Sequence, residues 1–114
     1  MKTITEKEKI TLPELQDVSK KMGDLVKAVV DIEKGIMSVD GELHSDEEAA
    51  LLEEGSKQEN LWGINLYPEL SGDDFIEFDS MINLRPSQNN RSRDIEDPEI
   101  REKILKIVNN LVTK

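Results

Sequence analysis

The stretch from residue 25 to residue 40 constrains the fold most, because it holds two strand-like runs on either side of a glycine. In the first run, Leu25–Ile32, β-branched residues are frequent and one of the two alternating faces is wholly apolar, which is typical of a strand that covers a core. Glu33-Lys34-Gly35 follows as a tight connection in which glycine can take a positive φ. Ile36–Asp40 has the pattern of a return strand, so the stretch predicts a β-hairpin.

Helix-start signals occur at three places in the chain. Thr11 and Glu14 have the spacing of a capping box, and they open a helix predicted over residues 12–22. A second capping box is predicted at Ser45–Glu48, at the start of a helix that ends near Gly55. The third start is the N-cap Asp97, and the helix after it has an apolar stripe of Ile100, Ile104, Ile107, Val108 and Leu111.

Two further strand-like runs lie between the second and third helices. Leu61–Tyr67 ends at Pro68, and residues 75–85 alternate between a mostly apolar face and a mixed face. With the hairpin they give the order αββαββα, which predicts an α+β domain with a mostly antiparallel four-stranded sheet and helices packed on one face. The chain of 114 residues suits a single domain, 1–114, in which residues 1–9 form either a flexible segment or an edge strand.

The composition excludes several classes of site. The chain has no cysteine and a single histidine, so it offers neither a thiolate metal site nor a histidine-rich zinc site. Its net charge of −10 is concentrated in residues 42–79, which carry twelve acidic residues and one basic residue, and this balance argues against general nucleic-acid binding. The chain has no apolar window of membrane-span length, and a reducing cytoplasm is the expected compartment.

The segment from Arg85 to Arg93, called the arginine loop below, is the strongest candidate for a binding site. It places three guanidinium groups in a turn-prone polar segment shortly before a helix start, where backbone N–H groups favour anions. Guanidinium groups bind phosphate or carboxylate through paired hydrogen bonds, and neutral side chains orient the bound group. Alternatively, the arginines pair with the chain's own acidic residues, such as Glu77, Asp79 or Asp94, and hold the loop on the sheet. The predicted ligand-binding residues are Arg85, Ser87, Gln88, Asn89, Asn90, Arg91, Ser92 and Arg93.

A weaker candidate is a group of carboxylates on the predicted sheet. Glu77 and Asp79 are two residues apart on the predicted fourth strand, and Asp31 joins them if the strands are neighbours. Such a group suits Mg²⁺ or an acid/base pair, but it equally suits a solvated or arginine-paired surface. His44 is expected to make a surface contact before the second helix, and no cofactor is expected apart from Mg²⁺ in the carboxylate alternative.

Three segments together resemble a known family. They are Val26–Met37, Asn60–Pro68 and Asn83–Arg93. Over nearly its whole length from Leu15 onward, the chain resembles a family of short prokaryotic proteins catalogued as a domain of unknown function. The resemblance supports the domain boundary and implies no activity, substrate or cofactor.

These features favour a small cytoplasmic binding or interaction module in which the arginine loop receives an anionic ligand or an acidic group of a protein partner. One alternative is a small enzyme that uses Glu77 and Asp79 near the loop, with or without Mg²⁺. A further alternative is a structural subunit that forms a homodimer through an exposed strand edge or the apolar stripe of the last helix. Neither general nucleic-acid binding nor membrane binding is expected.

Overall fold

The computed structural model describes every residue from Met1 to Lys114. The strands are β1 (Lys2–Ile4), β2 (Ile10–Thr11), β3 (Val26–Asp31), β4 (Ile36–Val39), β5 (Leu61–Leu66), β6 (Ile76–Glu77) and β7 (Val112–Thr113). The helices are α1 (Leu12–Ser19), α2 (His44–Glu53) and α3 (Pro98–Leu111). Single turns of 3₁₀ helix lie at Gln58–Asn60, Gly72–Asp74, Met81–Asn83 and Pro86–Gln88. None of the helices is long and apolar enough to cross a membrane.

The main sheet has five strands in the order β1-β4-β3-β5-β6, and every neighbouring pair is antiparallel. The predicted hairpin is confirmed as β3 and β4, with Asp31 opposite Ile36 and Gly35 at a φ of 68° in the turn. The mostly antiparallel α+β class is therefore confirmed. The prediction of four strands is wrong by one, because β1 pairs with β4 and adds an edge strand. A separate pair joins β2 and β7 in parallel.

Helices cover both faces of the main sheet. One face packs against α1 and α3, whose side chains Leu15, Ile104 and Val108 belong to the larger core cluster. The other face packs against α2, where Leu51 contacts the smaller cluster of Val29 and Leu61. The prediction that the helices pack on one face is wrong, because the central strand β3 buries side chains on both of its faces and each face needs a cover.

The helix starts agree with the sequence at both ends of the chain and differ in the middle. Thr11 and Glu14 form the predicted capping box, and Asp97 accepts from the backbone N–H of Glu99 at 2.9 Å. The helix α1 ends at Ser19, earlier than the predicted residue 22. The capping box at Ser45–Glu48 is wrong, because α2 begins at His44, and its N-cap Leu43 lies two residues before Ser45 and makes no side-chain cap. Ser45 therefore lies inside the helix, and the first turn keeps unsatisfied N–H groups.

The predicted fourth strand over residues 75–85 is also wrong, since only Ile76 and Glu77 pair with β5. The chain then leaves the sheet, and a side chain closes the edge of β5 in place of a backbone partner. Asn83 accepts from the N–H of Gly63 at 2.8 Å and donates to the carbonyl of Gly63 at 2.9 Å. One buried amide therefore supplies both hydrogen bonds that a neighbouring strand would make at this position.

Replacement of Gly63 by alanine is expected to destabilise the chain by about 1–3 kcal/mol through overpacking. A Cβ atom at residue 63 would lie 2.6 Å from both Cβ and Oγ of Ser80, closer than atoms can pack. Urea unfolding measures the change in the free energy of unfolding. The double variant Gly63→Ala/Ser80→Gly is expected to recover part of the loss, and an unchanged unfolding midpoint in Gly63→Ala alone would contradict the close approach.

Candidate functional site

Arg85, the first residue of the arginine loop, lies inside the molecule. Its side chain is 9% exposed and packs over the ring of Trp62, with 4.9 Å between the guanidinium carbon and the ring centre. Its nitrogens donate to the carbonyls of Gln58 at 2.9 Å and Leu61 at 2.6 Å, and to the carboxylate of Glu48 at 3.2 Å. All of these partners belong to the chain itself, so Arg85 fastens the loop to β5 and α2.

The middle of the arginine loop is held by its own hydrogen bonds. The buried side chain of Asn90 donates to the carbonyls of Asn83, Ser92 and Asp94, and its Oδ1 accepts from the N–H of Glu96. Around it, the side chain of Gln88 donates to the carbonyl of Glu59, the hydroxyl of Ser92 donates to Glu96, and Asn89 takes a φ of 60° at the end of a 3₁₀ turn. Ser87 is exposed and its hydroxyl makes no hydrogen bond within the chain. This segment is an ordered cover over the edge of β5.

The two remaining arginines of the loop have different surroundings. Arg91 is exposed and forms no ion pair. Arg93 is half-exposed, and its Nε donates to Oδ1 of Asp79 at 2.7 Å, while its two terminal nitrogens make no hydrogen bond. Arg93 therefore keeps free donors, and it lines a pocket at the start of α2.

The three carboxylates of the weaker candidate each have other partners within the chain. Asp31 accepts from the N–H groups of Glu33 and Lys34 and from the hydroxyl of Ser56 at the end of β3. Glu77 accepts from Asn65 and Tyr67, and Asp79 pairs with Arg93. No group of three histidine or carboxylate side chains has an arrangement that could hold a metal ion.

A pocket of 260 Å³ lies between the first turn of α2, the face of β3 and β5 that α2 covers, and the segment after β6. It is called the polar pocket below. Its polar lining consists of Lys27, His44, Ser45, Asn65, Asp79, Ser80 and Arg93. Apolar side chains, including Leu25, Leu43, Met81 and Ile82, complete its wall. The sheet register places Lys27 directly opposite Asn65, so β3 and β5 each contribute one polar residue to the same place.

The first turn of α2 brings free donors to the polar pocket. The N–H groups of Asp46 and Glu47 donate to the carbonyl of Leu43, but those of His44 and Ser45 find no acceptor in the chain. Free N–H groups at a helix start carry the positive end of the helix dipole and favour anions. Lys27 adds a full positive charge, since its ammonium donates to the carbonyl of Glu42 at 3.0 Å and forms no ion pair.

His44 contributes an acceptor to the polar pocket. Burial lowers the pKa of His44, and the positive charges of Lys27 and Arg93 act in the same direction, whereas the bond to Ile64 and the charge of Asp79 oppose them. The ring is therefore neutral near pH 7. Its Nε2 lies 2.8 Å from the carbonyl of Ile64, which requires the proton on Nε2 and leaves Nδ1 as an acceptor.

Asn65 lines the polar pocket, but its amide oxygen is sealed from solvent. Its side chain is 7% exposed, and its Nδ2 donates to Oε1 of Glu77 at 2.9 Å and to the carbonyl of Asp79 at 3.1 Å. Its Oδ1 is buried and has no hydrogen-bond partner. A buried acceptor without a donor is uncommon in folded proteins and calls for an explanation.

The sequence patterns selected two residues of the polar pocket, Arg93 as a ligand-binding candidate and Asp79 as part of the weaker carboxylate candidate. Lys27 and Asn65 were missed because they are 38 positions apart in sequence and meet only through the register of β3 and β5. A usable signal was present in each strand, since Lys27 and Asn65 are polar residues in otherwise largely apolar runs. His44 was expected at the surface and is the half-buried first residue of α2.

A family model described as Protein of unknown function (DUF5674) matches residues 3–111. This confirms the resemblance that the sequence segments indicate. No curated protein and no solved structure matches the chain.

Proposed function

The chain belongs to the family Protein of unknown function (DUF5674), so its function has to be argued from geometry, and we propose that the polar pocket binds the anionic group of a small molecule. One observation carries the proposal. The uncapped start of α2 opens into the same pocket as the unpaired ammonium of Lys27 and the free guanidinium nitrogens of Arg93.

The charges of the polar pocket support an anionic ligand despite the acidity of the whole chain. The chain has a net charge of −10, yet this pocket combines two cationic side chains with a single carboxylate, Asp79, that already accepts from Arg93. The N–H groups of His44 and Ser45 add partial positive charge without any protein acceptor. A phosphate or carboxylate group is the kind of acceptor that such donors favour.

The proposal keeps the anionic ligand expected from the sequence and moves its binding site. Arg85 is occupied by backbone carbonyls and Glu48, whereas Arg93 reaches the polar pocket. The rest of the arginine loop covers the edge of β5 and holds Arg93 beside the polar pocket. The contacts within the loop favour this division of roles over a site formed by the whole loop.

We also propose that the protein works in a reducing cytoplasm and that it binds its anionic ligand without a metal ion. The absence of cysteine suits a reducing cytoplasm, where disulfides do not contribute to stability. Because Asp79 is engaged by Arg93 and Asp31 lies at the far end of β3, anion binding is expected to proceed without Mg²⁺.

Calorimetric titration with n-propyl phosphate at low ionic strength tests the proposed function. Lys27→Met and Arg93→Gln are each expected to weaken binding by about tenfold, the effect of one charge-assisted hydrogen bond. The matched control is Arg91→Gln, which removes the same charge from the same loop at an exposed position outside the pocket. An equal loss of affinity in Arg91→Gln and Arg93→Gln would contradict the site, as would an absence of binding to the wild-type chain.

A further inference from the structure

We infer that Nδ1 of His44 accepts a phosphoryl group from a small donor with a phosphorus–nitrogen bond, a phosphoramidate. The inference rests on the proposed function, because it places a reactive nitrogen beside the anion site. His44 lines the polar pocket together with both of its cationic side chains, Lys27 and Arg93. The chain has no other histidine, so a phosphorylated histidine in this protein can only be His44.

His44 has the properties that a nitrogen nucleophile needs. Its Nε2 lies 2.8 Å from the carbonyl of Ile64 and carries the proton, so the free lone pair lies on Nδ1. Nδ1 makes no hydrogen bond within the chain and is open to solvent. The ring is neutral near pH 7, since burial lowers its pKa. The carbonyl of Ile64 therefore orients an uncharged nucleophile whose reactive nitrogen is accessible.

The groups around His44 suit a phosphoryl group. The ammonium of Lys27 forms no ion pair, and the terminal nitrogens of Arg93 make no hydrogen bond. These donors bind oxygens of the phosphoryl group and offset the negative charge that hinders attack on phosphorus. The free N–H groups at the start of α2 act in the same direction. The carboxylate in the pocket, Asp79, already accepts from Arg93.

The transfer balances without a further reactant. The lone pair of Nδ1 attacks phosphorus, the bond from Nδ1 to phosphorus forms, and the phosphorus–nitrogen bond of phosphoramidate breaks. The amine of phosphoramidate is protonated at neutral pH, so the leaving group departs as neutral ammonia and no proton has to be supplied. The ring keeps its proton on Nε2 and becomes a phosphorylated imidazolium, and its positive charge strengthens the hydrogen bond to the carbonyl of Ile64.

Incubation of the full chain with phosphoramidate at pH 7 tests the inference, with intact-mass spectrometry and NMR as readouts. We expect the mass gain of one phosphoryl group, which is lost in brief acid and kept in alkali, as is typical of phosphohistidine. NMR is expected to place the group on Nδ1, whereas small histidine derivatives accumulate it on the less crowded Nε2. The rate is expected to exceed that of N-acetylhistidine by about tenfold, because the pocket holds the donor beside the nucleophile.

Variants of the polar pocket distinguish a built site from a merely accessible histidine. Lys27→Met and Arg93→Gln are each expected to slow the labelling by about tenfold, because each removes a donor to the phosphoryl oxygens. Arg91→Gln is the matched control outside the pocket and is expected to react at the wild-type rate. His44→Gln is expected to take no acid-labile label. Equal rates in Arg91→Gln and Arg93→Gln would contradict the inference.

The outcomes separate the inference from the proposed function. A chain that binds n-propyl phosphate but takes no label, or reacts no faster than N-acetylhistidine, overturns the inference and leaves the anion site in place. A label on Nε2 also overturns it, as does an acid-stable label, which would belong to a hydroxyl group such as that of Ser45. Absence of both binding and labelling overturns the proposed function and the inference together.

Discussion

Replacement of Glu47 by glutamine is expected to stabilise the chain by about 3 kcal/mol at pH 7. The Glu47 side chain is completely buried between α2 and the sheet, where Oε2 accepts from the N–H of Gly41 at 3.0 Å and Oε1 has no partner. Burial raises the pKa of Glu47 from 4.5 to about 9, because a buried carboxylate loses its hydration. The folded chain therefore holds a proton at pH 7 that the unfolded chain releases, and glutamine removes that cost.

The pH dependence of the free energy of unfolding shows whether the raised pKa of Glu47 is the cause. Since the folded pKa lies above the unfolded pKa, the stability linked to Glu47 is complete below pH 4.5 and declines as the pH rises toward 9. Between pH 5.5 and pH 8.5, the advantage of Glu47→Gln should grow by about 4 kcal/mol, from roughly 1.4 kcal/mol per pH unit. Urea unfolding at several pH values measures it. Glu53→Gln, at an exposed position of the same helix, is the control, and parallel pH profiles for wild type and Glu47→Gln would refute the buried acid.

Replacement of Arg85 by alanine is expected to destabilise the chain by about 3–5 kcal/mol, the cost of removing one partner of a buried ion pair. The variant leaves Glu48, whose side chain is 13% exposed, without its cation. It also leaves the carbonyls of Gln58 and Leu61 without donors and uncovers the ring of Trp62. Urea unfolding gives the loss directly.

Arg91→Ala is the matched control for this prediction. It removes a guanidinium group from the same loop, but Arg91 is exposed and its side chain forms no ion pair, so the expected change is within about 0.5 kcal/mol. Arg85→Lys keeps the charge and loses the planar fork, and it should fall between the two. Similar losses in Arg85→Ala and Arg91→Ala would mean that Arg85 does not fasten the loop.

Local patterns predicted the parts of the fold that depend on local physics. The hairpin of β3 and β4 follows from β-branched residues around Gly35, and α3 follows from its N-cap Asp97 and its apolar stripe. The prediction of the fourth strand was wrong because the alternation of apolar and polar residues cannot show whether a backbone partner is available. At Gly63 that partner is the side chain of Asn83, and a side-chain partner leaves no periodic signal.

The polar pocket could be predicted only in part. Charge and turn chemistry pointed to Arg93, but the same reasoning also selected Arg85, which tertiary contacts turn inward. The meeting of Lys27 and Asn65 depends on strand register, and the free N–H groups of α2 depend on a helix start that the sequence placed at the wrong residue. Strand register depends on long-range contacts, and the exact helix start depends on a single residue. Neither feature produces a periodic pattern in the sequence.

An amide NMR titration with n-propyl phosphate tests most directly whether the polar pocket is the anion site. The account predicts that the backbone amides of His44 and Ser45 shift most, because their N–H groups have no acceptor in the chain and both residues line the pocket, and that the amides of residues 87–91 stay in place. Saturating shifts centred on residues 87–91, with His44 and Ser45 unmoved, would contradict it and return the site to the exposed part of the arginine loop.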